Sequence, residues 1–206
     1  MYNLTKQEEK IFKSLKNPAQ IQDFLNKIPI NFDYHKDTCL SPRMVLKKNK
    51  CHCIEGAILA ALALRFQGQK PLIVHLKTAK GDDDHVIAVF KKDKKWGAIS
   101  KTNHGVLRYR EPVYDSIREL AMSYFHEYTD KKGNKTLRSF SVPLDLSRFD
   151  KKGWATSEED LWYIDAYLDK IRHFNILAKN QARHLRKADM IERKIGNVTE
   201  WRFRKK

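Results

Sequence analysis

The chain has 206 residues, 41% of them hydrophobic and 11% aromatic, and its 41 Lys and Arg against 25 Asp and Glu give a formal net charge of +16. This size and composition allow one folded domain with an appendage and exclude wholesale disorder. Three cysteines exclude a paired disulfide framework, and the charge implies anionic partners without choosing between nucleic acid, acidic protein and a membrane surface.

The first eight residues hold no apolar core segment and no small-residue cleavage site, so they do not read as a secretory signal. No apolar run reaches transmembrane length, and a reducing cytoplasm is the expected setting. Thr5 with Glu8 makes a capping-box pair, predicting a helix through about Leu15. Asn17-Pro18 starts a second helix to about Lys27, with Ile21, Phe24 and Leu25 on its apolar face. Residues 28–37 connect, and Ser41-Pro42 repeats the cap-plus-proline signal for a short helix ending near Lys48.

From Ile54 to Phe66 the sequence is apolar almost all round, which predicts a buried central helix ended by Gly68. Glu55 and Arg65 and the short length exclude a bilayer span. Cys51 and Cys53 therefore stand at the N-terminal mouth of a buried helix. Unpaired N–H groups and the positive end of the macrodipole favour a thiolate there.

Beyond Gly68 the periodicity changes. Leu72 to Leu76 reads as a strand, and His85 to Phe90 as a second, apolar on both faces and so internal to a sheet. A charged turn over residues 91–95 returns a third strand from Trp96 to Ser100. Asp115 or Ser116 caps a helix with Ile117, Leu120, Ala121, Tyr124 and Phe125 inward; residues 130–134 turn and 137–142 alternate as a strand. Thr156 with Glu159 is a further capping box, opening a long helix with Leu161, Ile164, Leu168 and Ile171 buried. Residues 172–206 carry eleven Lys and Arg against three acids. The expected architecture is α+β: a buried nucleophile helix packed on a mostly antiparallel sheet with flanking helices. It divides into a domain over residues 1–171 and a basic helical extension over 172–206.

A thiol at a helix start needs a base, and His85, a polar residue opening an otherwise apolar strand, is the best placed. Cysteine on a helix, histidine on a strand and a polar residue on the next strand is the order of papain-like thiol enzymes. Cys53-Ile54-Glu55-Gly56-Ala57, followed by Leu62, Leu64-Arg65 and Gly68, resembles the nucleophile segment of the transglutaminase-like superfamily. His85 to Phe90 with Trp96 to Ser100 resembles that family's histidine strand and the next, and the likeness covers about residues 41–103. Two positions depart from it: Ser100 stands near the family's aspartate, and Ile87 stands where an aromatic residue is common. Asn103 follows three residues later as a second candidate to orient the imidazole.

The resemblance implies a papain/transglutaminase-like fold and a cysteine hydrolase or acyltransferase acting on an amide bond of a protein or peptide. Cys53 would attack as thiolate, His85 would carry the proton, Ser100 or Asn103 would orient His85, and the Cys53 N–H would be an oxyanion donor. No metal or other cofactor is expected. Cys51, His52, Cys53 and His104 read weakly as zinc ligands because no second cysteine pair accompanies them. Cys51 reads better as a thiol able to resolve an oxidised Cys53. Asp82-Asp83-Asp84 reads as a solvated loop and His75 as core or rim. The alternative function is a non-catalytic binding protein on the same fold, using Trp201 and Phe203 among Arg202, Arg204 and Lys205 to hold an anionic partner such as nucleic acid.

Overall fold

The computed structural model describes residues 2–32 and 36–201 as an α+β fold with a mostly antiparallel sheet and flanking helices. Three short helices open the chain: α1 (Lys6–Ser14), α2 (Pro18–Lys27) and α3 (Pro42–Lys48). Each is capped as its sequence predicts: Thr5 accepts from Glu8 N, Asn17 from Gln20 N and Ser41 from Met44 N. Helix α4 (Cys53–Phe66) follows, with Ala57 to Leu64 all without solvent exposure. Gly68 ends the segment at φ 79°, the left-handed conformation that relieves a helix C-terminus.

The sheet has seven strands: β1 (Leu72–Thr78), β2 (His85–Lys92), β3 (Lys95–Ser100), β4 (Arg110–Tyr114), β5 (Leu137–Ser141), β6 (Leu144–Asp145) and β7 (His173–Asn175). Their order is β4-β3-β2-β1-β5-β7, with β6 also paired to β1. Alternation along β2 sends Val86, Ala88 and Phe90 into the cluster around α4 and Ile87 and Val89 into a second cluster. That second cluster is closed by Leu120 and Ala121 of α5 (Ile117–Met122) and by Tyr124 and Phe125 after it. Apolar residues on both faces of β2 are thus a consequence of cover on both sides. No helix among the described residues is long and apolar enough to cross a membrane.

Two expectations fail in instructive ways. The helix expected from Thr156 starts later, as α6 (Trp162–Lys170). Thr156 instead closes a turn after a 3-10 helix (Leu146–Lys152), its N–H donating to Gly153 O at 3.0 Å. Leu161, Ile164 and Leu168 are buried as expected, but the stripe is read by α6 and its cap. The division at residue 171 also falls inside the sheet: β7 pairs with β5, and only α7 (Met190–Gly196) of the basic segment is α-helical among the described residues. A strand of three residues is too short to show a period. Residues 202–206, with Phe203 and Arg204, lie outside the described residues.

Lys101, directly after β3, ties the strand end to α2 and packs against α4. Its buried ammonium donates to Leu25 O at 3.0 Å and to Ile28 O, so a cation sits on the C-terminal carbonyls of α2. A Cβ at Gly56 would lie 2.5 Å from Lys101 Cβ, so α4 approaches this strand end only because residue 56 has no side chain. Gly56→Ala is expected to lower unfolding stability by about 1–3 kcal/mol in urea titration. An unchanged midpoint would show that α4 shifts without cost.

Candidate active site

The mouth of α4 is assembled from one buried carboxylate outward. Glu55, without solvent exposure, sits at the third helical position. Its Oε2 accepts from His52 N at 2.9 Å and Asn31 Nδ2 at 3.3 Å; its Oε1 accepts from Thr38 Oγ1 at 2.6 Å and Leu40 N at 2.9 Å. The strand-like run into the helix is fixed by Cys51 N donating to Pro29 O and Asn31 N donating to Cys51 O, at 3.1 and 3.0 Å. Three segments therefore converge on the first turn. The chain is locked at the residue before the nucleophile candidate.

Cys53 is partly exposed, and the side chains of His52 and His85 lie close enough to act on its thiol. Burial alone would raise its pKa. The bonds from the two imidazoles and their positive charge outweigh that and hold the thiol down to about 5. His52 responds in the opposite sense. Burial lowers its pKa, but the bond to Cys53, the charges of Cys53 and Glu55 and the Thr38 carbonyl raise it to about 9. Between those values a thiolate–imidazolium pair is the resting state.

His85 opens β2, and its Nε2 lies 2.8 Å from Ser100 Oγ at the end of β3. The register places Ile87 opposite Ser100 on the same sheet face as His85. Ser100 Oγ is also 2.5 Å from Leu107 O. A carbonyl only accepts, so the serine hydroxyl donates to Leu107 and its lone pair receives Nε2–H. That fixes the tautomer and leaves Nδ1 of His85 as the free basic nitrogen. Leu107 is turned into place at φ 59°, unusual for a branched side chain, with its N–H held by Glu127 Oε2 at 2.6 Å.

Three of the four residues singled out from sequence, Cys53, His85 and Ser100, come together. Asn103 does not join them: its Nδ2 donates to Trp201 O at 2.9 Å and its Oδ1 accepts from Trp201 N at 2.8 Å. That amide staples the C-terminal segment instead of orienting His85. Among the described residues no group of three His, Cys, Asp or Glu side chains is placed to hold a metal ion. The grouping of His104 with the cysteines is undone by its ring, whose Nδ1 meets Gly196 O at 2.8 Å. Cys51 has no exposure, and burial pushes its thiol up to about 12, so it is a packed side chain next to the site. The reading of the sequence missed the parts played by His52 and Glu55. Their spacing, an N-cap and the third helical position, was the available signal.

No family model matches the chain, and no curated relative matches it either.

Iodoacetamide should alkylate Cys53 in a fast phase that titrates near pH 5, far below a free thiol at about 8.5. Cys53→Ser should abolish that phase and Cys51→Ser should keep it. Glu55→Gln removes a negative charge that supports the His52 imidazolium, so the His52 titration should move below its value of about 9. Histidine NMR read against pH checks the direction.

Proposed function

We propose that the chain is a cysteine acyl-transfer enzyme of papain/transglutaminase-like type that cleaves or exchanges an amide bond of a protein or peptide. The observation that carries this reading is a Cys53 thiol at the start of α4 acted on by two imidazoles, one of which has its tautomer fixed by Ser100 and Leu107. In this reading the Cys53 thiolate attacks the amide carbonyl and forms a carbon–sulfur bond. The developing oxyanion is met by the Cys53 N–H at the start of α4, where helix geometry provides no internal partner. His85, holding at Nδ1 the proton taken from the Cys53 thiol, gives it to the leaving amine as the carbon–nitrogen bond breaks. Water or a second amine then attacks the thioester and gives its proton back to Nδ1, regenerating the thiolate.

Ser100 changes the chemistry relative to an aspartate in that position. A hydroxyl fixes the tautomer but adds no negative charge behind the imidazolium. His52, paired with the thiolate and with Glu55, supplies the electrostatic support instead. Cys53 is thereby charged without a full catalytic carboxylate.

The test uses 4-nitrophenyl acetate as acyl donor. A burst of 4-nitrophenol should accompany an acetyl thioester on Cys53, seen by intact-mass and peptide mass spectrometry and absent in Cys53→Ser. Hydroxylamine should accelerate its turnover. No thioester at neutral pH, despite a normal iodoacetamide fast phase, would refute an acyl-transfer role. Ser100→Ala frees both tautomers of His85 and removes one hydrogen bond; deacylation should slow on the order of tenfold, with the thioester still forming.

The net charge of +16 favours a second reading, in which the chain binds an anionic polymer such as nucleic acid. It would show as affinity for single-stranded nucleic acid that falls steeply with salt and is unaffected by Cys53→Ser.

A further inference from the structure

A second set of ionisable side chains lies beside the candidate site and takes no part in the steps above. His75 stands on β1, 6% exposed, on the same sheet face as Ile73 of the α4 cluster. Its Nε2 is 3.1 Å from Asp84 Oδ2 and its Nδ1 is 3.3 Å from His173 Nε2. His173 Nδ1 in turn lies 2.8 Å from Ile171 O. The result is a linear chain, carboxylate to imidazole to imidazole to carbonyl. It runs from the residue directly before His85 to edge strand β7.

Counting protons decides the charge of this chain. The Ile171 carbonyl can only accept. Asp84 also only accepts: burial raises its pKa, but the bonds from His75 and Thr78 outweigh it and hold the carboxyl at about 2. Three links between two accepting ends, through four ring nitrogens, require three N–H protons. Two neutral imidazoles bring only two. We infer that His75 and His173 hold one extra proton between them, and that this charged pair, acting through Asp84, positions His85. The second half of that inference rests on the reading of Cys53 and His85 given above.

The surroundings agree with one charge and not two. The His173 pKa is lowered by burial and by the charges of His75 and Lys77, against the Ile171 carbonyl and Asp169. The charge therefore sits on His75, between Asp84 and a neutral His173. From α6, Asp165 and Asp169 face the pair; Lys77 of β1 is tied to Asp169 at 2.9 Å, and His52 acts on Asp165 from the mouth of α4. Asp84 is held at its other oxygen by Thr78 N at 2.7 Å and Thr78 Oγ1 at 3.0 Å. The peptide entering β2 is thus pinned immediately before His85. As pH rises and the extra proton leaves, one of the three links must open, and the bond from His75 to Asp84 loses the charge that strengthened it.

His75, Asp84 and His173 are positioning residues, and their test reads His85 directly. In the full chain, with histidines labelled in nitrogen-15, His75 should show both ring nitrogens protonated at neutral pH and His173 only Nδ1. The pair should lose one proton in one step, and His85 should report a shift at the same pH. Asp84→Asn should lower the pH of that step, and the His85 shift should move with it. His173→Phe, which keeps the ring volume and removes the acceptor, should do so as well if Asp84→Asn fails to fold. Above the step, Cys53 alkylation should slow on the order of five- to tenfold, the equivalent of one lost hydrogen bond. Two ring protons at neutral pH would overturn the charge assignment. A His85 resonance indifferent to the step, or fixed while the variants shift it, would overturn the positioning role. Failure of the acyl-transfer reading is separate: it would show as no thioester on Cys53 with the alkylation fast phase intact, and would leave the proton count as it stands.

Discussion

A carboxylate without solvent exposure is costly unless its lone pairs are occupied, and the mouth of α4 is arranged around meeting that demand for Glu55. The donors come from Asn31, Thr38, Leu40 and His52, so the connection after α2, the approach to α3 and the N-cap of α4 must all be in place for the carboxylate to be tolerated. The same requirement fixes the backbone on both sides of Cys53. It also places a permanent negative charge where it supports the His52 imidazolium. The activated thiol therefore depends on a structural carboxylate that does not itself hold the sulfur. Loss of that charge would unsettle fold and chemistry together, because both draw on one set of hydrogen bonds.

The sheet contributes the other half by the same logic of restricted donors. Ser100 can orient His85 only because its own proton is taken by Leu107 O, and Leu107 can offer that carbonyl only from a left-handed turn held by Glu127. Glu127 in turn pairs with Arg110 at 2.6 Å on edge strand β4. A chain of single-purpose polar groups thus runs from a half-buried ion pair to the candidate base. The Asp84–His75–His173 chain reaches the start of the same strand from the other sheet face. His85 is gripped at its ring through one network and at its backbone through another.

Placed beside the bilayer and polymer partners that its charge allows, the chain offers chemistry first. An unpaired thiol carrying a depressed pKa in a partly exposed position is unstable to oxidation and needs a reason to persist. Acyl transfer is the use we propose for its two imidazoles and helix-start N–H.

The sequence alone was sufficient for the helices and the central strands. Caps at Thr5, Asn17 and Ser41, the all-round apolar run from Ile54, and the two-faced apolar β2 are local or periodic signals, written within a few residues of where they act. It also singled out Cys53 and His85 as candidates, through a thiol at a buried helix mouth, an ionisable residue heading an apolar strand and the spacing that joins them. Tertiary structure alone decided the rest. Asn103 and Ser100 are equally polar and three residues apart, yet only the β2–β3 register puts Ser100 at the imidazole, while Asn103 turns to Trp201. β7 and the His75–His173 link join residues 98 positions apart, and three-residue strands carry no period. Glu55 looked like a defect in an apolar helix until its donors arrived from three other segments. The physical reason is common to these cases: a polar side chain is defined by its partner, and here the partners are distant in sequence.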